Sequence, residues 1–362
     1  MFPTTLARAR RYCTAVAAAA TIAAMLVPAF AAEDPTLSHR TERLERSHSE
    51  QAGEPPLSRI QLVGAIEVDV VHASADDSIS DSLDVSTMEL GLDTRFSPLS
   101  TGHILLLYEE GATDTVIVDE AMITLFSPDT AWSLTAGRLY APFGDYSSAL
   151  LSDPLTLMLG ESRETALQLG WSSADRLALL WLANGVTKSG TDDRFDLWGI
   201  HLGLTTDVIP GVSLDTGLSW SSNLADSDGL QTAIASPSAL THRVPGLALH
   251  LHLSRGAVKL IAERVSALRR FAIVDLAHGK DAAKPAASNL EIDFAAGPRA
   301  TLAVARQQTR QAAATGLPRS LWLAAVTMTL DDHSSIGLEY AHGSDYRDDT
   351  LTVVTLRLAS RF

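Results

Sequence analysis

Apolar and polar residues alternate with a period of two through most of the chain beyond residue 58. In 213–220, Leu214, Thr216, Leu218 and Trp220 face one way, and Ser213, Asp215, Gly217 and Ser219 the other. In 198–204, Trp198, Ile200, Leu202 and Leu204 oppose Gly199, His201 and Gly203; in 290–296, Leu290, Ile292 and Phe294 oppose Glu291 and Asp293. A strand sends successive side chains to opposite faces, so each segment has one oily and one polar face. The pattern predicts about sixteen strands, near 59–71, 83–96, 103–110, 115–126, 131–140, 165–172, 176–184, 195–205, 211–221, 244–254, 257–272, 289–296, 300–307, 320–330, 335–342 and 351–362, with a break anticipated at 267–270.

Alternation of this kind also fits a soluble β-sandwich. Two features favour a barrel in lipid. Full charges sit in mid-strand on the polar face, as with Glu67 and Asp69, Glu89 and Asp93, and Lys259 and Glu263. Water must reach that face, and a wide barrel supplies it inside while the other face meets lipid. The connections also alternate in length. Those at 97–102, 127–130, 173–175, 206–211, 255–256, 297–299 and 331–334 are short, and the intervening ones reach 24 residues. Short periplasmic turns and longer external loops mark outer-membrane barrels. The expected fold class is all-β, an antiparallel transmembrane β-barrel of porin type, spanning 59–362. An even strand count returns both of its ends to the periplasm.

The N-terminal residues fit that setting. Arg8, Arg10 and Arg11 precede an apolar run from Cys13 to Val27, followed by Pro28 and the small-x-small triplet Ala29-Phe30-Ala31. This is the layout of a secretory signal over 1–31, cleaved near Ala31, and the run is short for a transmembrane helix. Residues 32–58 read as a flexible or short helical periplasmic lead-in. The chain holds a single cysteine, Cys13, inside the signal, which excludes disulfides and thiolate metal sites in the mature part. Without the three signal arginines, 25 basic residues face 43 acidic ones, a balance of −18. Nucleic-acid binding needs a basic patch, and none is evident. Outer-membrane lipid and lipopolysaccharide are the expected surroundings, in a Gram-negative outer membrane.

Six tryptophans, at 132, 171, 181, 198, 220 and 322, fall near predicted strand ends, where interfacial girdles place aromatics. In the last strand Val354, Leu356, Leu358 and Phe362 share a face, and a terminal aromatic there is the known address for barrel-assembly machinery. The connection at 141–164 is unusually apolar, with Leu150, Leu151, Leu155, Leu157, Met158 and Leu159. Such a segment is poorly placed in water. Folding it into the barrel would bury those side chains, narrow the pore and present Asp145, Asp153, Glu161, Arg163 and Glu164, with Arg138 beside them, to passing solute. The alternatives are packing against a neighbouring protomer or a structural clamp.

Within this stretch, Gly137-Arg138, Pro142-Phe143-Gly144, the run from Ser152 to Leu157 and the run from Leu159 to Thr165 resemble the LbtU family of siderophore porins. So do the run from Gly64 to Val68, the run from Val118 to Ala121, Glu339-Tyr340 and the Phe362 end. The resemblance covers about 59–362 and implies passage of ferric siderophore across the outer membrane. Here the N-terminal heptad segment is shorter and the external loops more compact than is typical.

Enzyme signatures are absent: there is no G-x-S-x-G, no H-E-x-x-H and no phosphate-binding glycine loop, so no catalytic residues and no cofactor are expected. His250 and His252 share a strand face, but no third ligand is identifiable, so they read as lumen polarity rather than a metal site. Predicted lumen charges are Glu67, Asp69, Glu89, Asp93, Glu109, Glu263, Glu291, Asp293 and Glu339, with Lys259 and Arg306 positive. This acid excess predicts mild cation preference. A plugged, energised receptor would need about 22 strands, so diffusion is the leading mechanism. Its specific version is siderophore uptake. The alternatives are a general or cation-preferring porin and, in another class, a non-conducting structural barrel or adhesin. Sixteen-stranded porins are commonly trimers, so a homotrimer is among the assemblies the fold class allows.

Overall fold

The computed structural model describes residues 60–76, 78–113, 115–128, 130–189 and 194–362. The expected signal and lead-in lie outside the described residues. Sixteen antiparallel strands close into one barrel in which each strand pairs with its sequence neighbours and the last pairs with the first. They are β1 (Ile60–Ala75), β2 (Ser78–Ser97), β3 (Ser100–Tyr108), β4 (Ile117–Phe126), β5 (Trp132–Tyr140), β6 (Arg163–Ser172), β7 (Arg176–Ala183) and β8 (Leu197–Ile209). The circuit continues with β9 (Val212–Ser221), β10 (Gly246–Arg255), β11 (Val258–Ala267), β12 (Ala286–Ala295), β13 (Ala300–Arg310), β14 (Ser320–Thr329), β15 (Ser334–Ser344) and β16 (Thr350–Arg361). β11 ends at Ala267, at the anticipated break. A two-stranded ribbon, Ala277–His278 with Asp281–Ala282, decorates the connection after it.

Closure needs the two chain ends of the barrel to find one register. β1 and β16 pair from Ala65 opposite Arg361 to Ala75 opposite Leu351. Gly64 and Phe362 then exchange two backbone hydrogen bonds of 3.0 Å. The Phe362 ring lies where a Cβ on Gly64 would stand, so this glycine makes room for the aromatic. Closure leaves no unpaired edge, which is what lets a sheet sit in hydrocarbon.

Outward positions are apolar and exposed around the ring, among them Leu134, Leu167, Leu180, Ile200, Leu218, Leu249, Leu290 and Val304. A band of that size belongs against lipid. Trp132 and Trp171 sit opposite each other at one end of β5 and β6. Trp198 and Trp220 lie 4.6 Å apart at the other end of β8 and β9, and Trp322 projects outward from β14. Trp181 departs from the expected girdle. It points inward at 1% exposure, packed with Leu139, Ala166, Ala183 and Leu197, and Gly199 leaves the space its indole fills.

Candidate functional site: a half-filled lumen

The 141–162 connection runs inside the barrel. Its stem closes where Ala141 donates its N–H to the Ser162 carbonyl. From there it crosses the interior along β9 to β15, fixed by a row of inward side chains. The Gly144 N–H donates to Ser219 on β9. The Asp145 and Tyr146 N–H groups donate to Glu263 on β11 at 2.9 and 3.2 Å, and Thr156 donates its hydroxyl to the other oxygen of that carboxylate. Glu291 on β12 accepts from the Ser148 hydroxyl and the Ala149 N–H. Glu339 on β15 accepts from the Leu151 and Ser152 N–H groups and the Ser152 hydroxyl. Gln307 on β13 takes the Leu155 N–H, at the start of a short helix, α1 (Leu155–Gly160).

The chemistry of this row is backbone satisfaction. An irregular segment carries N–H groups that no ladder accepts, and leaving them buried and unpaired costs about 1–3 kcal/mol each. Three carboxylates on three strands receive five such groups. Between them the wall is cut small: Ala248, Val265, Ala287, Ala303, Ala305, Ala325 and Ala341 make room for Phe143, Leu150, Leu155 and Leu159. Backbone freedom matters at Gly144, whose φ is 86° and whose Cβ would strike the Tyr146 ring.

Further connections fill the same half from above. The 222–245 segment, with a short helix α2 (Asp228–Gln231), adds Leu224, Leu230, Ile234, Leu240 and Val244 to that core, and the 268–285 segment adds Phe271 and Leu276. Gly229 lies against α1 so closely that a Cβ there would overlap the Met158 carbonyl. Asp226 ties the cap together: its carboxylate accepts the Val186 and Thr187 N–H groups at 2.7 Å and the Asn223 amide. Burial pushes this carboxyl above the usual aspartate range, against the opposing pull of those hydrogen bonds.

The other half stays open. A cavity of about 2280 Å³ is lined at the short-turn end by residues such as Asp175, Thr301 and Asp331, from around the ring. Toward the long-loop end it narrows to the space between the infolded segment and the β1–β5 wall, and its lining reaches Asp84, Glu110 and Thr113 there. Sixteen carboxylates line it against six lysine or arginine side chains. On the open wall several of these meet basic partners. Arg357 grips Asp69 with two hydrogen bonds, at 2.7 and 2.8 Å, and lies 2.7 Å from Glu67, which Arg361 also approaches at 3.2 Å. His103 Nδ1 lies 2.6 Å from Asp93. On the opposite flank His201, His250 and His252 form a row with ring centroids 5.9 and 5.3 Å apart. His250 faces Asp215 at 3.1 Å and His252 faces Asp145 at 3.5 Å. Among the described residues, no group of three or more His, Cys, Asp or Glu is arranged to hold a metal ion.

The structure sorts the residues singled out from sequence into distinct places. Glu67, Asp69, Glu89, Asp93, Glu109 and Lys259 line the cavity, as do Asp145, Asp153, Glu161 and Arg163. Arg163 forms an ion pair with Asp119, a residue at the β3–β4 register shift, and the Tyr140 hydroxyl donates to the same carboxylate. Glu263, Glu291 and Glu339 point inward as expected, but the infolded segment covers them, and they hold it instead of meeting solute. Asp293 is buried and Glu164 is covered at the mouth of β6; neither lines the cavity. Arg138 and Arg306 are corrected to the outer face: Arg138 is exposed on the Trp132 and Leu134 side of β5, and Arg306 stacks its guanidinium 4.9 Å over Trp322. Sequence reasoning passed over Gln307, Ser219 and Asp226. The visible signal for the first was β13 itself, where Ala303 and Ala305 precede Gln307 on a face that a wet wall would make polar.

A closed antiparallel ring of sixteen strands is a porin-like barrel. Solved porin structures have a similar fold: the Comamonas acidovorans anion-selective porin has a TM-score of 0.61 at 11% identity, covering 84% of this chain and 99% of that one. Salmonella typhi OmpF, solved with daunomycin, gives 0.60 at 14% identity, covering 84% and 97%. Pseudomonas putida OprB gives 0.58 at 11%, covering 90% and 96%. In sequence, a UPF0422 protein of Coxiella burnetii is 28% identical over 314 residues, 83% of this chain and 68% of that protein. A UPF0422 protein of Legionella pneumophila is 26% identical over 228 residues, 59% of this chain and 43% of the relative, so the match spans less than half of that longer protein. No family model matches the sequence.

Proposed function

We propose that this protein is an outer-membrane diffusion channel that prefers cations. The observation carrying this reading is the lining: sixteen carboxylates against six basic side chains along a cavity that reaches both ends of the barrel. In a water-filled pore with low-dielectric walls, an excess of fixed negative charge concentrates cations and repels anions. Fold alone does not decide selectivity, and the anion-selective Comamonas porin has a similar fold. In this reading the short turns face the periplasm and the long connections face outward.

The test is the reversal potential of purified protein in a planar bilayer under a potassium chloride gradient. A value toward the potassium equilibrium potential is expected. A value toward chloride refutes cation preference, and absence of conductance points to a structural barrel or adhesin. Passage of ferric siderophore, which the sequence resemblance implies, is the specific version of the channel reading. It rests on the run from Ser152 to Thr165, which forms α1 and the far stem of the infolded segment. Uptake of an iron-loaded hydroxamate into proteoliposomes tests it, and uptake no faster than in empty liposomes removes it.

A further inference from the structure

Apart from the single Arg138 on β5, the outer face carries a cluster of charge that neither the lumen nor the fold explains. Arg264 on β11 and Arg306 and Arg310 on β13 all occupy outward positions near the long-connection end. Cross-strand register sets them in adjoining rows. Arg264 lies level with Ser288 on β12, and Ser288 lies level with Gln308 on β13; Arg306, one outward position below, lies level with Trp322 on β14. Strands are about 4.8 Å apart, so Arg264 stands about 10 Å across from the β13 arginines. Below this belt the same strands show lipid-facing residues only, such as Leu260, Ile292 and Val304. No carboxylate pairs with any of the three arginines among the described residues. The outward positions of β11 to β14 contain no Asp or Glu. At the matching end of β8 to β10 the outward residues are Trp198, Trp220 and Leu247, so the arginines belong to one arc and not to a uniform rim.

Three unpaired guanidinium groups at the edge of a hydrocarbon band call for an anion held at that height. Long arginine side chains bury their stems along the wall and raise their heads to the interface. A guanidinium matches a phosphate with two parallel hydrogen bonds. Trp322 beneath Arg306 is an interfacial residue that also fixes the cation above its ring. We infer that the arc formed by Arg264, Arg306 and Arg310, with Gln308, Ser288 and Trp322, is a docking site for the phosphate groups of an outer-leaflet glycolipid. Charge complementarity selects this occupant over a second copy of the chain, whose surface would have to bring acids to this latitude. The inference rests on the membrane orientation given above. It adds that the barrel keeps a specific phospho-glycolipid on one side.

Native mass spectrometry of the detergent-purified full chain tests this, with diphosphoryl lipid A, its dephosphorylated form and phosphatidylglycerol as probes. Retention of diphosphoryl lipid A is expected, with affinity falling about a hundredfold in the triple variant R264Q/R306Q/R310Q, as three interfacial arginines are lost. Heat-modifiable migration checks that the variant folds, and its bilayer conductance stays that of the parent. Equal retention by parent and variant overturns the site. So does equal binding of the dephosphorylated lipid, or complete displacement by inorganic phosphate, which would mark a plain anion site. A change in oligomer mass with lipid retention unaltered assigns the arc to a second copy and overturns the inference. Lipid retention is read independently of current, so a non-conducting barrel that retains lipid A would sink the channel reading alone.

Discussion

The two halves of the barrel interior are built from the same alternating strands, yet one is a core and the other a passage. On β10 to β15 the inward face sets small apolar residues beside a few acids and amides, as in Ala287 to Glu291 and Ala303 to Gln307. On β1 to β4 it carries Glu67, Asp69, Glu89, Asp93 and Glu120, with no covering segment. The same residue type therefore does opposite work. Glu339, with a backbone segment laid on it, is a buried anchor at 1% exposure, while Glu89 meets the cavity. Small neighbours decide the outcome, because only a wall cut back to alanine leaves room for a chain to lie against it. In the proposed channel, selectivity and pore width then belong to different walls, and mutations should separate them.

The largest effect is expected from the anchors. Replacing Glu263, Glu291 and Glu339 together by alanine leaves five backbone N–H groups without acceptors, at about 1–3 kcal/mol each. The infolded segment should detach, single-channel conductance should rise severalfold and protease should cut within 145–156, while the ring still shows heat-modifiable migration. Unchanged conductance would break the comparison. Next, Gly229→Val forces a side chain into the Met158 carbonyl; overpacking of this kind costs about 1–3 kcal/mol. It should lower the melting temperature and loosen the cap, with ion selectivity unaltered.

On the open wall, Arg357→Gln takes the arginine from Asp69 and leaves Glu67 with Arg361 alone. The cation-to-anion permeability ratio should rise about twofold, the order expected for one charge in screened water, with conductance nearly constant. A fall in the ratio contradicts the assignment of that wall. The smallest effect concerns pH at the cap. Folded Asp226 holds its proton more tightly than the unfolded chain does, so its contribution is fully present below the ordinary aspartate pKa. That contribution is lost as pH rises through the raised folded value. Exchange of the Val186 and Thr187 amides, corrected for intrinsic rates, should show slightly easier opening at neutral pH than in acid, and Asp226→Asn should flatten the difference.

The ring was legible because period-two alternation is a local property: all sixteen strands were placed, and the end of β11 near Ala267 was anticipated. That 141–162 needs cover was also readable, since six large apolar residues sit in a connection, but whether the barrel interior or a neighbouring protomer supplies that cover was not. What could not be read was which inward acids would be covered. Glu67 and Glu339 look alike in sequence, each an acid on an alternating strand, and only the packing of a distant segment separates them. Arg306 was misassigned for a related reason. A charged residue on a membrane strand is expected inside, and its outward stacking on Trp322 depends on the register with β14. Trp181 likewise looked like a girdle residue until its side of the wall was known.

The split interior is tested most directly by thiol accessibility. In a Cys13→Ala background, which removes the single native cysteine, Asp93→Cys would probe the open wall and Ala305→Cys the filled one. A small hydrophilic thiosulfonate reagent should modify the first at once and reduce the current through the channel, and leave the second, at 1% exposure, unreacted. Equal modification at both positions would mean that the lumen is open all round and that no half of it is sealed.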